Sequence, residues 1–172
     1  MVMMKKKINY GTILYGAFAL IIVLFFLFMP ILYVDTDNDF YANGYRILVG
    51  SYLQVPSDID PEVMETVTLL RTSSFNFCAI LFPIGTFLFY RIVSSAPAKR
   101  FSAFLCGVVG FLYILFIPVM ANYWRNRNFQ IDIYQSWGWY VVIVVYLAYL
   151  VFIIVDLILT IKKEKRELSI EE

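Results

Sequence analysis

The sequence contains no histidine, which removes the commonest general base and a common metal ligand. Its only two cysteines, Cys78 and Cys106, do not form the Cys-x-x-Cys pair used by disulfide-exchange enzymes. In the two predicted spans that hold them, they differ in depth by roughly 16 Å at 1.5 Å per helical residue, whereas a disulfide needs Cα atoms within about 7 Å. We therefore predict two packing residues, no cofactor and no catalytic site.

Acidic residues with metal-ligand spacing are also scarce. Asp35, Asp37 and Asp39 begin like a calcium loop. The sixth position, however, is Phe40, where glycine is needed, and the twelfth is Arg46, where glutamate is needed. We predict a solvated acidic turn and no metal site. The net charge is only +1 and the basic residues form short clusters beside apolar segments, so nucleic acid binding is not expected.

Charge is low throughout. Charged residues make up 16% of the chain, whereas apolar residues make up 61% and aromatic residues 19%; soluble domains are about a quarter charged. Four stretches are long enough to cross about 30 Å of hydrocarbon, which takes roughly 20 helical residues. The first is too long for a secretory signal and lacks a cleavage site after Pro30. These features predict an all-α integral membrane protein, a four-helix transmembrane bundle surrounded by membrane lipids.

The predicted segments alternate between spans and links in chain order. They are a cytoplasmic basic tail (1–9), transmembrane helix 1 (10–34), an extracytoplasmic segment (35–71), transmembrane helix 2 (72–93), a cytoplasmic turn (94–100), transmembrane helix 3 (101–122), an extracytoplasmic loop (123–136), transmembrane helix 4 (137–161) and a cytoplasmic tail (162–172).

Lysine and arginine predict the orientation. Ten of the fourteen lie on the side of both termini and of the link between the second and third spans, and four lie on the other side. With an even number of spans, this asymmetry places both termini in the cytoplasm. The many Ile, Phe, Tyr and Lys residues and the lack of an outer disulfide suggest the cell membrane of a bacterium.

The extracytoplasmic segment carries one clear helix signal. In Asp60-Pro61-Glu62, the aspartate can cap a helix, the proline suits its first position, and the acids favour its positive end. We expect a helix from about residue 60 that continues into the second span. Between residues 35 and 59 the apolar residues fit a helical period and a strand period about equally, and both remain open.

Asp156 is the most unusual polar residue of the predicted spans, about five residues from the inner end of the fourth. A carboxylate at that depth in the membrane is energetically unfavourable unless it is paired with a cation or reached by water. Arg91 lies at similar depth in the second span, so we predict a structural ion pair between Asp156 and Arg91. The alternative is a proton or cation site.

Two further groups have membrane roles by residue type. Small residues at helical spacing in the third span predict a helix-packing face, against the same chain or another; they are Ser102, Ala103, Cys106, Gly107 and Gly110. Three tryptophans near the outer ends of spans predict interfacial anchors; they are Trp124, Trp137 and Trp139.

The topology resembles that of claudins and tetraspanins. The claudin Trp…Gly-Leu-Trp…Cys…Cys pattern and the tetraspanin Cys-Cys-Gly motif are missing, so we assign no family. We expect a non-catalytic subunit or accessory partner of a larger membrane assembly, bound to a membrane protein or to copies of itself. The alternative is a small oligomeric transporter or channel that uses Asp156 and Arg91. An enzyme acting on lipid ranks third, because histidine, a cysteine pair and an inner acidic cluster are all missing.

Overall fold

A computed structural model describes residues 10–34, 40–56, 64–70, 74–124 and 133–171. The helices are α1 (Tyr10–Phe28), α2 (Gly44–Val49), α3 (Cys78–Ile92), α4 (Ala96–Trp124) and α5 (Trp137–Glu171). The strands are β1 (Pro30–Val34), β2 (Phe40–Asn43), β3 (Ser51–Pro56), β4 (Met64–Leu70) and β5 (Ile133–Gln135). A 3-10 turn, Ser74–Phe77, leads directly into α3.

Three helices are long and apolar enough to cross a membrane: Tyr10–Phe28, Ala96–Tyr123 and Trp137–Leu168. Helix α3 is also apolar but has only 15 residues. The expectation of a mainly helical, multi-pass membrane protein is therefore confirmed. The structure adds two small sheets, which an all-α fold does not contain.

The four apolar helices contact one another in a closed order: α3 lies against α1 and α4, and α5 lies against α4 and α1. Only residues 93–95 separate α3 from α4, so these two helices are antiparallel neighbours. Strand β1 follows α1, strand β5 precedes α5, and the two strands pair. The end of α1 and the start of α5 therefore share one end of the molecule, which we call the sheet end.

A three-stranded antiparallel sheet in the order β2-β1-β5 forms the sheet end. Its alternate residues face opposite ways, as in any strand. One face is fully or almost fully buried and comprises Leu32, Val34, Ala42 and Ile133. Helix α2 packs so closely against the end of α1 that a Cβ on Gly44 would overlap the Phe26 carbonyl oxygen.

The prediction of a helix from about residue 60 is wrong for residues 64–70, which the structure describes as a strand. Residues 64–70 form β4, which pairs with β3 in an antiparallel hairpin. The β-branched run Thr66-Val67-Thr68 favours an extended backbone, and β3 supplies its ladder of hydrogen bonds. The signal at Asp60-Pro61 lies outside the described residues.

The helix boundaries also differ from those expected. Helix α1 ends at Phe28, and the last residues of the predicted first span form β1. Helix α4 begins at Ala96, inside the predicted cytoplasmic turn, since Pro97 in the first turn suits a helix start. Helix α5 continues through the predicted tail to Glu171. The predicted basic tail, residues 1–9, lies outside the described residues.

Helix α4 continues through Pro118, which has no N–H to donate to the carbonyl of Ile114 one turn earlier. The indole Nε1 of Trp139 donates to that oxygen instead, at 3.0 Å. Nearby, Asn122 Nδ2 donates to the carbonyls of Pro118 and Ile133, at 3.1 and 3.0 Å. These bonds attach the end of α4 to α5 and β5.

Candidate functional site: an ion pair at the helix ends opposite the sheet

Asp156 lies on α5 at the end of the molecule opposite the sheet end. It is one turn beyond Ile153 and two beyond Tyr149, both fully buried, so helical spacing directs it toward the neighbouring helices. Its Oδ2 atom accepts a hydrogen bond from Arg100 Nε at 2.7 Å and another from the Tyr15 hydroxyl at 3.2 Å. One carboxylate therefore joins α1, α4 and α5.

Arg100 lies one turn into α4, and its Nη1 also donates to the Ala96 carbonyl at 2.9 Å. The side chains of Arg100 and Asp156 are only 15% and 24% exposed. Such a charge-assisted bond is short and about twice as strong as a neutral one. Because both side chains have little contact with solvent, removal of either partner would leave the other charge poorly compensated.

The predicted pairing of Asp156 with Arg91 is wrong. Arg91 is exposed, whereas its neighbour Tyr90 is 4% exposed and faces the interior of the helix bundle. Successive helical residues differ in direction by about 100°, so Tyr90 occupies the place from which Arg91 would need to reach the carboxylate.

Two tyrosines complete the cluster. The rings of Tyr15 and Tyr90 stack at 3.9 Å between centroids, with 16° between their planes, which joins α1 to α3. The ammonium of Lys99 lies 4.7 Å from the centroid of the Tyr90 ring, a cation–π contact. The Tyr149 hydroxyl donates to the Tyr15 carbonyl at 3.3 Å. We call Tyr15, Tyr90, Lys99, Arg100 and Asp156 the ion-pair cluster.

Sequence reasoning missed Tyr15 and Arg100. The signal for Arg100 was present, because Pro97 suits a helix start and would have placed Arg100 inside the helix. The signal for Tyr15 was weaker: a hydroxyl near the start of the first span lies at the same depth as a carboxylate near the end of the fourth.

The predicted small-residue face lies between α3 and α5. Ala103, Gly107 and Gly110 are buried, and Ser102 and Cys106 are half-buried. A Cβ on Gly110 would overlap both the Tyr146 hydroxyl and the Cβ of Phe82. Only glycine at this position lets α3 and α5 come so close to α4.

The hydroxyl and thiol groups near Gly110 form their hydrogen bonds within the helix bundle. Thr86 Oγ1 and Cys106 Sγ both donate to the Phe82 carbonyl, at 2.9 and 3.5 Å. The buried Tyr146 hydroxyl has no hydrogen-bond partner among the described residues. Cys78 and Cys106 are both free thiols.

The tryptophans differ in their surroundings. Trp137 is 58% exposed at the first position of α5, as an interfacial anchor would be. Trp139 is half-buried and bonded to α4. Trp124 ends α4, and its side chain lies outside the described part of the structure.

Within the described residues, no group of three or more Asp, Glu, Cys or His side chains could hold a metal ion. Asp35, Asp37 and Asp39 lie outside those residues. The ion-pair cluster neutralises one carboxylate and joins the ends of α1, α4 and α5. In comparisons with known proteins, no family model, no curated protein and no solved structure matches this chain.

Proposed function

We propose that the chain crosses the membrane four times as a four-helix bundle and serves as a non-catalytic subunit or accessory partner of a larger membrane assembly. The fourth crossing is α3 with its leading 3-10 turn. Fifteen α-helical residues and four 3-10 residues rise by about 22 and 8 Å, together about the hydrocarbon thickness. The three-residue link to α4 also requires α3 to run back alongside a helix that spans.

The orientation that we propose places both termini in the cytoplasm and the sheet end outside. Arg91, Lys99, Arg100, Lys162 and Lys163 all lie toward the end with the ion-pair cluster. Positive residues concentrate on the cytoplasmic side of multi-pass proteins, which supports this orientation.

The accessory role rests mainly on one observation: the carboxylate at membrane depth is already neutralised by groups of the same chain. Asp156 is bonded to Arg100 and Tyr15 across three helices. A transport site would leave such a carboxylate available to a proton or cation. The carboxylate here holds three helices together, and a rigid helical body suits a subunit that binds through its surface.

Co-purification tests the accessory role. The tagged full-length chain would be crosslinked in native membranes, isolated in mild detergent and analysed by mass spectrometry. We expect to recover a membrane protein in fixed ratio to the chain. The control variant Arg91→Gln should retain this partner, because Arg91 lies outside the ion-pair cluster. Recovery of the chain alone, or only with itself, would contradict the accessory role.

The partial exposure of Asp156 favours one second candidate, a small transporter or channel. Purified chain in sealed vesicles with a pH-sensitive or cation-sensitive dye would then carry a flux. Asp156→Asn would abolish that flux, while Arg91→Gln would leave it intact. The accessory role predicts no flux above that of empty vesicles for any of the three chains.

Cysteine labelling tests the four crossings separately. With Cys78 and Cys106 replaced by alanine, single cysteines at Ala98 and Lys165 should resist an impermeant thiol reagent added to intact cells. A cysteine at Asn126 should react. Labelling at Ala98 from outside would exclude the proposed topology without bearing on the accessory role.

A further inference from the structure

The open face of the three-stranded sheet carries one tyrosine from each strand. Tyr33 of β1 is the register partner of Tyr41 in β2 and of Tyr134 in β5, so the three side chains lie side by side across the sheet. The ring centroid of Tyr33 lies 5.2 Å from that of Tyr41 and 6.4 Å from that of Tyr134. Tyr41 and Tyr134 are 50% and 48% exposed. We call these three residues the tyrosine row.

The composition of the sheet is unusual for a surface that faces water. Strands β1, β2 and β5 contain no Asp, Glu, Lys or Arg. The solvated face of an antiparallel sheet normally carries polar side chains, and exposed edge strands are commonly protected by charges. An uncharged face of amphipathic rings instead matches the membrane interface, where tyrosine places its ring among lipids and its hydroxyl among headgroups.

The covalent path places the row close to the membrane. Trp137 and Tyr140, 58% and 56% exposed, open α5 in the position of interfacial anchors. Tyr134 is three residues before Trp137 and so lies at most about 10 Å from it along an extended strand. The headgroup region adds about 5–8 Å on each side of the hydrocarbon, and a tyrosine side chain can cover the remaining distance.

A cation also lies close to the sheet. The guanidinium of Arg46 on α2 lies 4.8 Å from the centroid of the Phe40 ring in β2, and Arg46 is exposed. Phe40 is the register partner of the buried Val34, so this arginine lies on the other side of the sheet from the tyrosine row. We propose that the tyrosine row lies in the phosphate and glycerol headgroup layer of the adjoining leaflet. This placement does not depend on the accessory role or on which side the termini occupy.

Spin-label depth measurements in vesicles test the proposal, with α5 as an internal ruler. Nitroxide labels at Tyr41→Cys and Tyr134→Cys are compared with labels at Tyr140→Cys, Val151→Cys and Lys163→Cys, all exposed on α5. Vesicles of phosphatidylcholine and phosphatidylglycerol carry oxygen or a soluble nickel complex on both sides. We expect the row labels to read a depth within about one helical turn, 5 Å, of the Tyr140 label.

Each other result contradicts the proposal. Nickel access equal to that of the Lys163 label would show that the row faces water. Poor access to both oxygen and nickel would show that a second copy covers the row. Nickel access in pure vesicles that is lost in native membranes would show that a protein partner covers it.

The background chain for these labels has Cys78→Ala and Cys106→Ala, and each variant is required to keep the helical circular dichroism of that background. Tyr41 and Tyr134 lie on opposite edge strands, so failure of one variant to fold leaves the other to decide.

Discussion

Replacement of Asp156 by asparagine removes the charge that holds Arg100 and the Tyr15 hydroxyl. Loss of one partner of a buried ion pair typically costs about 3–5 kcal/mol, and a hydrogen bond to a charged group about 1.5–3 kcal/mol. The two side chains are 15% and 24% exposed, so water at this end solvates part of the abandoned charge. We therefore expect Asp156→Asn and Arg100→Gln each to lower the free energy of unfolding by about 2–3 kcal/mol.

The double variant separates a direct pair from two independent losses. When both charges are removed, neither is left without a partner, so the combined loss should be smaller than the sum by about 1–2 kcal/mol. The assay is reversible unfolding in mixed lipid–detergent micelles, followed by circular dichroism. Arg91→Gln is the matched control, since Arg91 is exposed at the same end, and its effect should stay within about 0.5 kcal/mol.

Additive effects of the two replacements would show that Asp156 and Arg100 are not coupled and would refute the stabilising role of the ion pair. So would an Asp156→Asn variant as stable as the wild type, which would indicate a carboxylate with no stabilising partner. Tyr15→Phe refines the result, because it keeps the ring stacked on Tyr90 and removes only the hydroxyl. Its expected cost is about 1 kcal/mol.

Other contacts in the helix core give further measurable outcomes in the same unfolding assay. Gly110→Ala should cost about 1–3 kcal/mol or more, because its Cβ overlaps Tyr146 and Phe82; an effect below 0.5 kcal/mol would contradict the close packing. Trp139→Phe should cost about 1 kcal/mol because it leaves a carbonyl in α4 without a donor, whereas Trp137→Phe, at an exposed position, should be nearly neutral. Tyr146→Phe should leave stability equal or higher, since the hydroxyl has no partner among the described residues; a clear loss would show that it has one.

The spanning helices could be predicted because the signal is local and strong: long apolar runs need nothing from the rest of the chain. The sheet could not be predicted in the same way. Strand β1 continues the apolar run of α1 without a change in composition, and its partner β5 follows about a hundred residues later. No local period reveals a pairing over that distance.

At the candidate site, the sequence identified the carboxylate and assigned the wrong cation. Depth alone pointed to Arg91, because Arg100 was assigned to the predicted cytoplasmic turn and was not considered as a partner of Asp156. The direction of the Arg100 side chain depends on where α4 begins, and a start at Ala96 turns Arg100 toward α5. Helix ends are set by one or two residues, so an error there changes which side chains meet.

The two ends of the molecule together explain how helices without a hydrophobic force between them keep their alignment. Lipid tails are as apolar as the helix surfaces, so association depends on packing and polar contacts. Polar contacts join α1, α4 and α5 at the ion-pair cluster and again at the sheet end, about 20 Å away along α1 from Tyr15 to Phe28. Between them, the contacts are mainly steric, as at Gly110. Loss of the ion pair leaves the other set in place, which is why a less stable but correctly inserted chain is expected.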